Sequence, residues 1–283
     1  MVMPLITAPL DSVEAYVRHL SDAPLPVLRH TARELALLKT EMENVNSRRI
    51  VVTILGDPLM TIRLLMHMES NRHNIQNRDI TTIDHAIMMM GVKPFFETFS
   101  NLPTLEDTLA SNPKALVGAL RIIGRARRVA QYAHDWAILR HDLDVDEITV
   151  AALLQETTEI LCWIRAPALT QQVYDLQGAD PTMRSAVAQR AIFGVTAAEI
   201  QIALIHAWKL PKLLVQLMDE TQTDHPRVRT IRLAWRFTRH IMRGWDDPAV
   251  PADIEDIASL LPIGRHQLLE RLGAPENIIS RLL

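Results

Sequence analysis

The stretch Ile50–Gly91, IVVTILGDPLMTIRLLMHMESNRHNIQNRDITTIDHAIMMMG, decides how the chain folds. It reads as helix, Asp-Pro punctuation, helix, polar loop, helix. Asp57 stands where its carboxylate can accept the free amide hydrogens of the next turn, and Pro58 occupies the first helical position, whose N–H has no helical partner in any case. One helix therefore ends near Gly56 and another starts at once. In the second, Leu59, Ile62, Leu65 and Met66 recur at three- and four-residue steps, which predicts a helix over Leu59–Met68. After the polar run Ser70–Asp79, Thr81 or Thr82 can cap a third helix that carries Ile83, Ile87 and Met90 and stops at Gly91.

Working outward, a first helix follows Asp11-Ser12 with an apolar face of Val13, Tyr16, Val17 and Leu20, expected to pack on the next helix. Pro24 and Pro26 break the chain, a helix runs over about Val27–Lys39, and another begins after Asn46-Ser47. These elements make an N-terminal helical bundle, residues 1–105. The segment Asn101–Pro113, with two prolines and an acidic pair, is the expected junction to a second helical lobe, residues 106–283. No flexible linker composition separates the two, so they are expected in firm contact. The second lobe opens on a long helix from Pro113 to about His141. Helices over Ile148–Trp163, Pro167–Leu176, Pro181–Phe193, Ala197–Trp208, Pro211–Glu220 and Pro226–Trp245 follow, then short helices from Asp253 onward.

The composition agrees with an all-α fold. With 283 residues, 48% of them hydrophobic, the chain can bury a large core, and its 9 glycines and 5% aromatic content favour helix over sheet. A formal charge of −3 argues against bulk attraction to nucleic acid or an anionic membrane. No apolar run reaches membrane-spanning length, and the start MVMPLITAPLDS lacks a secretory basic region, so a cytoplasmic location is expected. The single Cys162 cannot form an intramolecular disulfide and reads as a buried, inert thiol.

Leu25-Pro26, Ile54, Asp57-Pro58, Leu59-Met60-Thr61, Ser70-Asn71, Ile80, Ala86-Ile87 and Gly91, taken in order and spacing, resemble the N-terminal signature of the HDOD family. Ser70-Asn71 is inverted relative to that family's usual Asn-Ser. The family comprises bacterial signalling proteins related to the HD phosphohydrolases. The resemblance implies an N-terminal helical bundle packed on a degenerate HD-like lobe. In catalytic HD relatives, a first His, a His-Asp pair and a later Asp hold metal that activates water for phosphoester hydrolysis. Matched position by position, the first ligand falls on Arg125 in Arg125-Ala126-Arg127-Arg128-Val129-Ala130. The His-Asp pair falls on Gln155-Glu156 and the final Asp on Trp235. Arginine is a permanent cation, glutamine a weak ligand and tryptophan no ligand at all, so only Glu156 keeps ligand character. The resemblance thus implies no metal, no cofactor and no catalysis. Arg125 and Glu156 either form a structural ion pair in a filled core, with Trp235 packed where metal would sit, or the vacated pocket takes an anionic small ligand through Arg125.

Other metal-like patterns fail. His134-Asp135 and His141-Asp142 lie seven residues apart and read as a solvated helix end. Asp142, Asp144 and Asp146 mimic the start of a calcium loop, but Glu147 replaces the turn glycine and Leu153 the clamping glutamate; compensation of the helix dipole explains those acids. His206 reads as a core histidine. The arginines 229, 232, 236, 239 and 243 form one helical stripe, either a solvated face paired with local acids or a surface for an acidic protein partner or a nucleic-acid backbone, the last disfavoured by the net charge.

Helical patterning fills the chain, so no attached receiver, kinase or cyclase segment is expected. The expected role is a scaffold relaying signals to a protein partner, with no membrane partner and with nucleic acid disfavoured by the negative net charge. A metal-dependent phosphohydrolase and a nucleotide or cyclic-dinucleotide sensor are the competing classes.

Overall fold

A computed structural model describes residues 4–21, 25–42, 45–71, 80–219 and 225–282, and among them every regular element is a helix. The first group is α1 (Val13–Ser21), α2 (Arg29–Thr40), α3 (Ser47–Leu55), α4 (Pro58–Ser70), α5 (Ile83–Met90), α6 (Val92–Thr98) and α7 (Leu105–Thr108). The second begins with α8 (Pro113–Leu139), α9 (Val145–Leu154), α10 (Thr157–Arg165), α11 (Pro167–Ala179), α12 (Ser185–Phe193) and α13 (Ala197–Ala207). It ends with α14 (Lys212–Met218), α15 (Pro226–Ile241), α16 (Val250–Ala258), α17 (Arg265–Arg271) and α18 (Glu276–Leu282). Most of the polar run expected as a loop, residues 72–79, lies outside the described residues, as do Pro24 and Glu220. No single described helix is long and apolar enough to cross a membrane.

The Asp57-Pro58 corner folds as its sequence requires, and does more. The Asp57 carboxylate accepts from the amides of Leu59 and Met60, capping α4. Its second oxygen accepts from the Leu28 amide at 2.7 Å, so one fully buried side chain fastens α2 to the α3–α4 corner. Thr61 closes the corner by donating to the Ile54 carbonyl, and the two helices meet at 116°. Thr82 caps α5. The acids of the expected junction act locally too: Glu106 accepts from the Arg29 amide at 2.8 Å, and the Val27 and Leu105 backbones pair across the same seam.

The first helix corrects one expectation. It packs on α13 and α10, not on the next helix. Tyr16 is the reason: its hydroxyl donates to the Phe193 carbonyl at 2.8 Å and accepts from the Leu10 amide, and its ring lies 5.8 Å from that of Phe193. The preceding segment is tied to the end of α10 by the Ile6 amide on the Arg165 carbonyl.

The central element is α8, its 27 residues spanning about 40 Å. Asn112 caps it with Pro113 at the first turn, and α9, α10 and α15 pack around it. Gly118 is required where α10 crosses: a Cβ there would sit 2.5 Å from the Trp163 ring. Gly118→Ala is therefore expected to destabilise by about 1–3 kcal/mol through overpacking, although alanine normally favours a helix. The control Gly124→Ala, with nothing within 4 Å of the new methyl, is expected to stabilise by about 0.5–1 kcal/mol; urea unfolding of both variants checks the pair.

Candidate functional site

The sequence predicts one helix over Ile148–Trp163. The structure breaks it at Gln155-Glu156, between α9 and α10. The break is held open by Gln201, one of the few buried polar residues, which reaches in from α13. Its amide donates to the Leu154 carbonyl at 3.0 Å, and its carbonyl accepts from the Thr158 amide and hydroxyl. The free ends of both helices are thereby satisfied inside the core. No periodicity signals this role; a lone glutamine on the apolar face of α13 is the only trace in the sequence.

Beside the break lies a four-residue ion network. Arg125, on α8, is 6% exposed and grips Glu156 through two parallel bonds of 2.7 and 2.5 Å. The same guanidinium reaches Glu159 at 2.6 Å. From α15, Arg239 approaches Glu159 at 3.3 Å and Glu156 at 3.9 Å, and donates to Ser185. Tyr174 donates to the other Glu159 oxygen. Two cations face two carboxylates, so the cluster is neutral. Burial pushes the Glu159 carboxyl up, but the Arg125 and Arg239 guanidiniums and the Tyr174 hydroxyl outweigh it and hold it down to about 2. Burial opposes the charge on Arg125, and the two glutamates reverse that, raising its pKa well above the ordinary value. Tyr174 is pushed up by burial and by Glu159.

The sign for stability follows from Glu159. Its folded pKa lies below its unfolded value, so its contribution is complete above about pH 4.5 and is lost as pH falls toward 2. The melting temperature is expected to drop across that window in the wild type and to drop less steeply in Glu159→Gln, as followed by circular dichroism.

A cleft of about 620 Å³ opens over this network, between α10, α12, α13 and α15. Gln155, Glu156, Glu159, Trp235 and Arg239 all line it; Arg125 does not, being sealed behind the glutamates. Three of the four sequence-matched positions therefore share one wall. Trp235 departs from the expected filled core: it is half-buried at the cleft, with the Arg239 guanidinium 4.9 Å above its ring. The donor set does not suit a metal. Both Glu156 oxygens are engaged by Arg125, Gln155 offers a neutral amide and Trp235 no donor atom. An anion is poorly served by Arg125, whose charge already meets two carboxylates.

Four of the five arginines of the α15 stripe are engaged within the chain. Arg229 donates to Ser259, Arg236 pairs with Asp253 and Asp256, Arg239 belongs to the network, and Arg243 lies 3.7 Å from Asp247. Arg232 is half-buried, with its Nε lacking a hydrogen-bond partner among the described residues. The acidic turn, read as compensating a helix dipole, also surrounds a cation: Arg227 meets Asp142 at 2.9 Å and also Asp144. His134 bonds Thr149, and His141 ends α8 in the left-handed region, φ 56°. His206 is exposed, correcting the core reading, because α13 buries Ile200, Gln201, Leu204 and Ile205 and leaves His206 off that face. Cys162 is buried, its thiol pushed up to about 12 first by burial and then by Glu159. Among the described residues no three His, Cys, Asp or Glu side chains converge as metal ligands would.

Comparison with known proteins bears on the fold. A family model, the HDOD domain, matches residues 25–223. A Campylobacter jejuni protein described as a virulence factor superposes with TM-score 0.66 at 17% identity, covering 97% of each chain. The MmoQ response regulator of Methylococcus capsulatus superposes with TM-score 0.60 at 17% identity, covering 93% of this chain and 98% of its own. No curated protein matches the chain.

Proposed function

The chain belongs to the HDOD family, related to the HD phosphohydrolases, and we propose that it is a non-enzymatic regulatory module that acts in signalling through protein contacts. The observation that carries this reading is the bidentate Arg125–Glu156 pair. An arginine occupies the first ligand position and engages both oxygens of the one ligand-capable residue that the family pattern leaves. A water-activating metal would have to displace that guanidinium from Glu156 and leave the buried cation with Glu159 as its one close carboxylate, a cost of several kcal/mol. The test is hydrolysis of bis(p-nitrophenyl) phosphate with manganese or magnesium added. No turnover above the buffer rate is expected; metal-dependent turnover abolished by a chelator would overturn the reading.

A second reading rests on the cleft, whose volume lies within the ordinary range of small-molecule sites. Trp235 and Arg239 both line it, a ring with a cation 4.9 Å from its centre, which suits a nucleotide or cyclic dinucleotide. Arg239, not Arg125, is then the residue that meets the ligand. A rise in melting temperature with a cyclic dinucleotide, lost in Arg239→Gln, supports this reading; no rise removes it.

A further inference from the structure

The arginine pattern most visible in the sequence is largely paired with acids of neighbouring helices, while a second cationic pattern, on α8, has no ion-pair partner among the described residues. Lys114, Arg121 and Arg128 are exposed and have neither an ion pair nor a hydrogen bond among the described residues. They recur every seven residues, two helical turns, so they line one side of α8 at intervals of about 10 Å. The first acid to interrupt the exposed face is Asp135, a further two turns along. In a chain of net charge −3 this is a concentrated local field.

Apolar and small residues run beside the cations with the same period. Val117 is 67% exposed and Leu120 38% exposed, and Gly124 follows Val117 by seven residues. Gly124 is the informative one. It sits inside a continuous helix, a position unfavourable for glycine, and, its own chain neighbours and helix backbone aside, no atom of the described residues lies within 4 Å of where its side chain would be. Nothing internal requires it, whereas Gly118 one face away is required by Trp163. A missing side chain on an exposed helix lets a second backbone approach closely. Next to it a groove of about 410 Å³ lies between Lys114, Val117, Gly118 and Arg121, floored by Trp163.

From this arrangement we propose that the outward face of α8 from Lys114 to Arg128 docks an acidic amphipathic helix of a partner protein. The partner's apolar side chains lie along Val117, Leu120 and Gly124, one of them entering the groove over Trp163. Its carboxylates, spaced at seven residues, meet the three cations. Heptad-spaced charges flanking an apolar seam are the means by which paired helices select partners. The apolar component and the glycine favour a helix over a nucleic-acid backbone or a lipid surface, to which cations alone would suffice. This inference rests on the protein-contact reading above and gives it a surface.

The test uses the full chain and a fluorescein-labelled synthetic helical peptide of about three heptads, with leucine along its seam and glutamate at the flanking positions, followed by fluorescence anisotropy. The peptide is expected to bind the wild type. Arg121→Glu with Arg128→Glu is expected to weaken binding about tenfold or more, and Gly124→Leu comparably, with no loss in melting temperature for the latter. Arg243→Glu, on α15, is expected to leave binding unchanged. Three results would overturn the proposal: no binding by the wild type, binding indifferent to the α8 variants, or tighter binding of a DNA duplex or of phosphatidylglycerol vesicles than of the peptide. Each would leave the non-enzymatic reading standing, since that reading fails by phosphodiester turnover or by a metal held at Glu156, neither of which the peptide experiment reads.

Discussion

Arg125→Met is expected to destabilise the folded chain by about 3 to 5 kcal/mol, among the largest effects of any single substitution. Among the described residues the guanidinium is the only cation in direct hydrogen-bond contact with Glu156, which is 2% exposed, and it also holds Glu159. Without it, two carboxylates remain in the core with Arg239 as the one cation near them among the described residues, at 3.3 and 3.9 Å. Arg239 cannot replace it, because its second amino group is held by Ser185. Neutralising the stranded acid should recover part of the loss, so Arg125→Met with Glu156→Gln is expected to be more stable than Arg125→Met alone. Chemical denaturation monitored by circular dichroism reads both. A small loss in the single variant, or no recovery in the double, would mean that the pair is not the clasp its geometry describes.

Asp57→Ala is expected to cost about 3 kcal/mol, more than an ordinary helix cap. Loss of an N-cap typically costs 0.5 to 2 kcal/mol. Here the side chain is fully buried and also accepts the Leu28 amide, which would be left without an acceptor, at about 1 to 3 kcal/mol more. Asp57→Asn keeps one acceptor and is expected to lose roughly half as much. Equilibrium unfolding in urea separates the three proteins. If Asp57→Ala costs no more than a surface cap, the fastening of α2 to the α3–α4 corner contributes nothing.

Those two residues also show how far the sequence could be read. Asp57 was legible as a cap because its partners, Leu59 and Met60, are its neighbours in the chain. Its bond to Leu28 was not, because 29 residues intervene. The same boundary recurs at the site. Periodicity carries Ile148–Trp163 through as one helix, and only Gln201, 43 residues beyond Thr158, makes the break at Gln155-Glu156 tolerable. Tyr16 was visible on an apolar face, but its partner Phe193 is 177 residues away, so the face could not say which helix it covers. His206 fails for a related reason: an apolar run does not say which side of the helix turns inward. The α15 stripe was correctly spaced, yet its acids, Asp253, Asp256 and Glu159, come from other helices. The cations of α8 were equally spaced in the sequence, and nothing local marked them as the ones without an ion pair among the described residues.

The reading as a whole turns on whether the position matched to the HD metal site holds a guanidinium clasp and nothing else. The most direct measurement is elemental analysis by mass spectrometry of protein purified without a metal-affinity step, repeated after incubation with excess manganese and desalting. The expected result is well below one transition-metal ion per chain in both samples. One ion or more per chain, lost on substituting Glu156, would contradict it and return the chain to the hydrolases.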